Sequence, residues 1–242
     1  MKTIHVLGIV GGPRNGNSAY LLKRALDHIR EMKIPTDIQV CSLRGKQIQP
    51  CIACHRCTTN GGICILNDNF EEIRQQWVQA DVILYSFPVF AQAVPGQLKC
   101  FIDRLGNSFY GKYEVGSMRH LKTVGAMTVG AHLFGGEELA INQIVQHALL
   151  LNCVPVSGDG PASYMGAPAW TRGNLGRTAL KELEAQGDAD IQISLQAAAS
   201  TAQRAVEMAA MLQQGAKQLQ AILEHDIRYK PYLSRIAEEE PR

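Results

Sequence analysis

Short apolar runs alternate with segments of helical spacing along the first 156 residues of this 242-residue chain. The apolar runs are nearly continuous, which is typical of strands that are buried on both faces of a sheet. They predict strands at residues 4–10, 38–43, 81–87, 121–129 and 153–156. The intervening segments predict helices at residues 18–32, 69–79, 96–105 and 137–151. This alternation constrains the fold to a doubly wound α/β sheet with parallel strands and helices on both faces.

The number of predicted strands narrows the topology further. Five strands fit the flavodoxin-like order 2-1-3-4-5 better than the six-stranded dinucleotide-binding fold. We expect one domain over residues 1–225, followed by a charged and extended tail at residues 226–242.

Three irregular segments and one long helix complete the predicted layout. A Cys-rich loop is inserted at residues 44–68, and a plain loop is expected at residues 106–120. A Gly- and Pro-rich loop follows at residues 157–176. An Ala- and Gln-rich helix is expected over residues 190–224, with a break near Gly215 or an overhang toward another subunit.

Charge and composition exclude several classes of protein. Lys and Arg number 24 and Asp and Glu 22, so the net charge of +2 gives no reason to expect a nucleic-acid partner. No apolar run approaches the roughly 18 residues of a membrane span, so we expect no membrane partner. The first residues are predicted to form a strand and not a signal peptide, which favours a cytoplasmic protein. An odd count of seven cysteines, four of them within residues 51–64, indicates metal or redox chemistry and not a disulfide framework.

The loop after the first strand has the sequence GGPRNGNS, at residues 11–18. It joins the carboxyl end of a parallel strand to a helix N-terminus, where free N–H groups and the helix dipole favour an anion. Glycines allow close approach of the backbone, and an arginine adds a charge-assisted hydrogen bond. We therefore predict a phosphate monoester here, with a tight turn that binds no ligand as the alternative. The candidate phosphate-binding residues are Gly12, Pro13, Arg14, Asn17 and Ser18, and either of the last two is the expected helix N-cap.

This loop resembles the G-S-P-R-x-x-G-N-[ST] phosphate loop of the NADPH-dependent FMN reductase family, which is flavodoxin-like. Gly12 replaces the usual Ser, which leaves only backbone contacts at that position. The loop is also one residue shorter between Arg14 and Gly16 than the commonest form. The resemblance implies that FMN is the cofactor.

Two further segments carry the same resemblance. The sequence SFPVFAQAVPGQLKCFIDR, at residues 86–104, is similar to the family's loop that wraps the isoalloxazine ring, and VGAHLFGGE, at residues 129–137, resembles the loop along the edge of the flavin. The resemblance implies flavin contacts for Pro88, Val89, Phe90, Ala91, Gly130, Ala131, Gly135 and Gly136. For His132 a structural hydrogen bond is favoured over catalysis. For Asp103 and Arg104 we favour an ion pair at the helix end.

The clustered cysteines are spaced Cys51-x2-Cys54-x2-Cys57-x6-Cys64, and Gly61 and Gly62 give the flexibility that closes the set. Four thiolates are the usual ligands of a [4Fe-4S] cluster. The pattern resembles the compact motif of the iron–sulfur flavoproteins, a branch of the same family. A zinc site and an empty thiol site are the alternatives. The remaining cysteines are expected to be packed core thiols: Cys41, Cys100 and Cys153.

Taken with the resemblance, the motifs predict an FMN-dependent oxidoreductase that passes electrons between a [4Fe-4S] cluster and FMN to a small-molecule or protein acceptor. No catalytic side chain is expected, because the chemistry takes place at N5 of FMN. The alternatives are a cluster-free NAD(P)H-dependent FMN or quinone reductase and a non-enzymatic electron carrier. The resemblance further implies a homodimer or homotetramer whose redox partner is ferredoxin or NAD(P)H. A lid over the flavin is predicted from Tyr164, Met165, Trp170 and Arg172.

Overall fold

The computed structural model describes residues 2–112, 118–159 and 163–237. The strands are β1 (Ile4–Val10), β2 (Thr36–Ser42), β3 (Val82–Pro88), β4 (Thr123–Gly130), β5 (Val154–Pro155) and β6 (Ala167–Trp170). The helices are α1 (Asn17–Arg30), α2 (Arg56–Thr59), α3 (Phe70–Gln79), α4 (Gly96–Lys112), α5 (Glu137–Leu150), α6 (Ala179–Ala185), α7 (Ala189–Gln218), α8 (Gln220–Leu223) and α9 (Lys230–Ala237). A 3₁₀ turn at Ile227–Tyr229 precedes the last helix.

The sheet is parallel and has the order β2-β1-β3-β4-β5, which confirms the predicted flavodoxin-like topology. A sixth strand, β6, also pairs with β4, from Met127 opposite Ala167 to Gly130 opposite Trp170. Because β5 pairs only with the start of β4, the two short strands share one edge position, separated by residues 156–166. The prediction of a Gly- and Pro-rich loop over residues 157–176 is therefore wrong at β6, and residues 160–162 lie outside the described residues.

Two apolar layers cover the sheet. Alternate residues of the strands point to opposite faces, so Leu7 and Ile9 pack toward α3, α4 and α5, whereas Ile4 and Val6 pack toward α1, α6 and α7. The Ala-rich face of α7 approaches the sheet closely. An added Cβ at Gly125 would lie 3.0 Å from Cγ2 of Thr201, which explains why small residues are needed at this contact.

Two predicted helices have different ends in the structure. Helix α4 continues to Lys112, so the expected loop is wrong over residues 106–112, and residues 113–117 lie outside the described residues. Helix α7 runs without a break past Gly215 and ends at Gln218, followed by the short α8.

The C-terminal segment is helical, so the prediction of an extended tail is wrong. Tyr232 and Ile236 of α9 are buried together with Ala216 of α7. Arg235 forms a buried ion pair with Asp81, the residue before β3. This places α9 at the amino ends of the strands, and residues 238–242 lie outside the described residues. None of the helices described is long and apolar enough to cross a bilayer.

Candidate functional site

The three loops predicted to bind the flavin meet at the carboxyl edge of the sheet. An added Cβ at Gly12 would lie 2.9 Å from Cδ of Pro88, so the loop after β1 rests directly on the end of β3. An added Cβ at Gly136 would lie 2.5 Å from Cα of Gln92, so the loops after β3 and β4 are also in contact. The structure therefore brings the predicted loops together at one edge.

The start of α1 has no side-chain cap. Its N-cap is Gly16, so the prediction of Asn17 or Ser18 as the N-cap is wrong. The side chain of Asn17 instead donates to the carbonyl of Gly176 at 2.9 Å and accepts from the N–H of Leu180 at 3.1 Å. Asn17 thus anchors a segment that begins 159 residues away in the chain. The first turn of α1 lacks the side-chain acceptor that usually occupies it.

Two arginines flank this helix start. Arg14 is exposed in the loop, and Arg177, also exposed, follows the segment that Asn17 anchors. An added Cβ at Gly16 would lie 3.3 Å from the carbonyl oxygen of Arg177. Sequence reasoning missed Arg177, because only the fold brings residues 176–180 onto the loop after β1. Ser18 is buried, and its carbonyl accepts a 2.7 Å hydrogen bond from Ser86.

The loop after β3 contains a tight turn at Phe90–Ala93. The backbone groups of Phe90 and Ala93 exchange two hydrogen bonds of 3.0 Å, and the ring of Phe90 is exposed. Ala91 and Gln92, between them, have φ values of 49° and 61°. Residues other than glycine adopt this left-handed region at a cost of about 1–3 kcal/mol each, and such strain is concentrated at functional sites. The N–H of Val89 is paired with the carbonyl of Val129 at 3.0 Å.

The buried carboxylate of Glu137 explains why the loop after β4 needs glycines. Added Cβ atoms at Gly130 and Gly135 would collide with or crowd the side chain of Glu137. Glu137 begins α5, and its Oε1 is buried without a hydrogen-bond partner among the described residues. Gly136, the N-cap of α5, needs its glycine because its φ is 101°. These glycines therefore have a packing role whether or not a flavin contacts their backbone.

The four clustered cysteines line one pocket, which we call the cysteine pocket; with them it is lined by Ile52, Ala53, His55, Ile65, Leu66, Arg104, Asn107 and Ser108. Ala53 lies between Cys51 and Cys54, and His55 lies between Cys54 and Cys57. Their φ values are 51° and 56°, so the chain turns sharply between each pair of cysteines. These turns bring thiols that are three residues apart onto the same pocket. All four thiols are free.

Helix α4 forms one wall of the cysteine pocket. The Cys57 thiol lies 3.4 Å from the carbonyl of Asn107, and the Asn107 amide lies 3.6 Å from the Cys51 sulfur. Ser108 donates to the carbonyl of Gly62 at 2.6 Å and so fixes the Gly-rich closure. Desolvation raises the pKa of the Cys57 thiol.

The described side chains do not by themselves form a site for a single metal ion. Within the described ranges, no group of three or more His, Cys, Asp or Glu side chains is placed to hold one metal ion. A zinc site needs each thiolate about 2.3 Å from one point. In a cubane the four thiolates bind different iron atoms, so their sulfurs lie farther apart.

The motifs and this geometry agree with comparisons to known proteins. A family model described as NADPH-dependent FMN reductase matches residues 4–164. The chain belongs to this family. An iron–sulfur flavoprotein of Methanocaldococcus jannaschii is 35% identical over 162 residues, which cover 66% of this chain and 80% of that protein. An iron–sulfur flavoprotein of Archaeoglobus fulgidus is 31% identical over 170 residues, which cover 70% of this chain and 84% of that protein.

These relatives identify the iron–sulfur flavoprotein branch of the NADPH-dependent FMN reductase family. The chain is therefore a flavin-dependent oxidoreductase. The crystal structure of an azoreductase from Bacillus anthracis superposes with a TM-score of 0.55 over 84% of this chain and 100% of that one. At 16% identity, this likeness concerns the fold alone.

In this FMN reductase family member, Arg104 does not pair with Asp103 as predicted. Asp103 lies 2.5 Å from Lys99 on the surface of α4. Arg104 instead forms a 2.5 Å ion pair with Asp68, and both side chains are buried. Burial alone would raise the pKa of Asp68, but hydrogen bonds from Arg104 and from two backbone N–H groups hold it below the usual value. Local sequence gives no signal for this pair, because its members are 36 residues apart.

The remaining cysteines confirm the expectation of packed thiols. Cys41 and Cys153 are buried, and Cys100 is half-buried against the core. Burial raises the pKa of Cys153 to about 11, which keeps it protonated and unreactive at neutral pH.

A cavity of about 700 Å³ opens beside the proposed flavin loops, between α5, β6 and α7. Its wall includes Phe134, Glu137, Trp170 and Ile193. The predicted lid residues lie in different environments. Tyr164 and Met165 are exposed, whereas Trp170 belongs to β6.

The cationic end of the predicted lid is tied down. Arg172 forms ion pairs with Asp188 at 2.8 Å and with Asp190 at 2.7 Å, at the start of α7. Its guanidinium also lies 5.3 Å from the ring of Trp170. Trp170 is therefore part of the cavity wall, Arg172 is held against the start of α7, and the lid itself stays a prediction.

Proposed function

We propose that this protein passes electrons between a [4Fe-4S] cluster and FMN and delivers them to a small-molecule or protein acceptor. When bound, FMN supplies one- and two-electron chemistry and the cluster supplies one-electron chemistry. The proposal is carried by one observation: four free thiols line a single pocket on α4, the helix whose first residue follows the loop after β3.

The FMN phosphate is proposed to bind at the uncapped start of α1. Backbone N–H groups and Arg14 would hold the phosphate, with Arg177 as a second cation. Asn17 would position the loop by its contacts with Gly176 and Leu180. The full set proposed for FMN is Gly12, Pro13, Arg14, Asn17, Ser18, Pro88, Val89, Phe90, Ala91, Gly130, Ala131, Gly135 and Gly136. No side chain is assigned as a nucleophile or acid, because the reaction takes place at the flavin.

The cluster is proposed to be held by Cys51, Cys54, Cys57 and Cys64. These four thiols and the other three cysteines are all free, as expected in a reducing, cytoplasmic compartment. The pocket is lined by four sulfur donors and an amide, with a buried guanidinium beside them. Donors of this chemistry fit an anionic iron–sulfur centre.

The distance between the two sites supports a homodimer or homotetramer. Asn107, which contacts Cys51 and Cys57, lies eleven residues along α4 from Gly96, which begins α4 after the loop proposed to wrap the flavin. At 1.5 Å per residue this is about 16 Å of helix. No residue lines both the cysteine pocket and the proposed FMN site, so we propose that a neighbouring subunit brings its flavin closer. The electron donor is proposed to be ferredoxin or NAD(P)H.

Anaerobic purification tests the proposal. Iron, labile sulfide and flavin are measured on the same preparation, and the protein is then mixed with NADPH without oxygen. About four iron and four sulfide per FMN supports the proposal. FMN with neither iron nor sulfide indicates a cluster-free reductase. Reduction by ferredoxin without turnover of any small acceptor indicates an electron carrier.

A further inference from the structure

Arg104 joins the two ends of the Cys-rich loop to α4. Its Nη1 donates to Asp68 at 2.5 Å and to the carbonyl of Gln49 at 3.3 Å, and its Nη2 donates to the carbonyl of Leu66 at 3.4 Å. The guanidinium lies 4.3 Å from the centre of the Phe70 ring. The side chain is almost fully buried, and it lines the cysteine pocket. Arg104 is thus a fixed cation beside four thiols.

One donor of this guanidinium has no partner among the residues that the structure describes. The Nε atom is buried and makes no hydrogen bond with the described residues. Leaving a buried charged donor unpaired is costly, and native proteins rarely do so unless a bound ligand or water pairs with it. The partners of the other nitrogens are all oxygen atoms outside the thiol set. The cysteine pocket that Arg104 lines also holds sulfur acceptors, on its four cysteines.

We propose that Nε–H of Arg104 donates a hydrogen bond to a sulfur of the cluster and thereby raises the reduction potential of the cluster. The inference rests on the proposed function. Reduction adds one electron and no proton, so the cluster becomes more negative by one charge. A hydrogen bond to sulfur stabilises the more negative state and favours reduction. Asp68 accepts from Nη1 and not from Nε, so its charge does not occupy the unpaired donor.

Lysine cannot replace Arg104 in this role. It keeps the positive charge, but its ammonium is a point charge without the rigid fork of a guanidinium. Arg104→Lys therefore separates the hydrogen bond to sulfur from the charge. A matched control is Arg235→Lys, which alters the other buried Arg–Asp pair, at the amino ends of the strands.

The test is a redox titration of anaerobically purified, cluster-loaded protein with dithionite as the electron donor. Arg104→Lys is expected to keep wild-type iron and sulfide while its reduction equilibrium constant falls about tenfold, or 59 mV for one electron. The potential of FMN, followed in the same titration, should stay unchanged. Arg235→Lys should shift neither potential. A cluster with wild-type potential in Arg104→Lys overturns the inference.

A second measurement decides the case in which Arg104→Lys loses its cluster. Arg104 is the arginine that lines the cysteine pocket, so wild-type protein made with ¹⁵N-labelled arginine is reduced with dithionite and studied by pulsed EPR. A ¹⁵N coupling to the reduced cluster is expected, and its absence overturns the inference. Wild-type protein without iron and sulfide overturns the proposed function, and the inference with it. A wild-type cluster whose potential is unchanged in Arg104→Lys overturns only the inference.

Discussion

Arg235 of the last helix forms an ion pair with Asp81, and its Nε lies 2.9 Å from the carboxylate. Both side chains are largely buried, with exposures of 9% and 4%. Both Nη atoms of Arg235 also donate to the carbonyl of His120 at 3.1 Å. The second oxygen of Asp81 accepts from the N–H of His5 at 3.1 Å. The pair therefore joins α9 to β1 and to the segments that enter β3 and β4.

Arg235→Ala should lower the free energy of unfolding by about 3–5 kcal/mol, because it leaves the Asp81 carboxylate buried without its cation. Urea unfolding followed by circular dichroism measures the change. Lys99→Ala is the matched control, since Lys99 is 52% exposed in its pair with Asp103 and should cost less than about 1 kcal/mol. Equal losses in the two variants would show that the buried pair has no special role.

The stability of the protein should depend on pH through His147. Burial lowers the pKa of His147 from 6.5 to about 4, and its Nε2 has no partner among the described residues. Between these two values the unfolded chain binds a proton that the folded chain does not. The free energy of unfolding is therefore unaffected above pH 6.5 and falls by about 3 kcal/mol as the pH is lowered from 6.5 to 4.

His147→Leu should remove this slope, whatever its effect on stability at neutral pH. Urea unfolding at several pH values between 4 and 7 measures it. His225→Leu, at an exposed position, should keep the wild-type slope. A wild-type slope in His147→Leu would assign the pH dependence to other groups.

The strands could be predicted because apolar runs leave a strong local signal. The structure places β1 to β5 within two residues of the predicted strands. The signal fails for β6, where the sequence APAW is short and contains a proline, which is unusual in a strand. It also fails at the end of α4, where Gly106 and Asn107 indicate a break. Leu105 and Phe109 nevertheless continue the apolar face of α4, and their packing decides the outcome.

The candidate site also has features that could be predicted from the sequence and features that could not. Motifs in consecutive residues could be predicted as loops, and the cysteines as a cluster lining one pocket. Contacts between distant segments could not, because they depend on the fold. Asn17 bonds to Gly176, and Arg104 pairs with Asp68. Neither partner has a distinctive neighbourhood in the sequence.

Arg14→Ala should weaken FMN binding by about 1.5–3 kcal/mol, the contribution of a hydrogen bond to a charged group. Flavin fluorescence quenching measures the dissociation constant. Riboflavin, which lacks the phosphate, should bind both proteins equally. Arg30→Ala, at the far end of α1, is the control and should bind FMN normally. Unchanged FMN affinity in Arg14→Ala would count against the assignment of the phosphate to this loop.

Cys57→Ala should remove iron and labile sulfide and leave FMN bound, because the cysteine pocket and the proposed FMN site share no residue. Metal analysis and flavin extraction on anaerobically purified protein measure both. Cys100→Ala, on the same helix as Asn107, should retain cluster and flavin, since Cys100 packs against the core. Stoichiometric zinc without sulfide in the wild type would exclude the cluster.

Trp170→Ala should raise KM for aromatic acceptors about 5- to 30-fold, because the indole forms part of the wall of the 700 Å³ cavity. Its loss removes the aromatic contact surface but none of the backbone pairing between β6 and β4. Steady-state reduction of a series of quinones measures the effect, with FMN content and oligomeric mass determined on the same preparations. Tyr164→Ala is the control, since Tyr164 is 79% exposed and lies outside the cavity wall. Equal KM values for Trp170→Ala and wild type would mean that acceptors reach the flavin by another route.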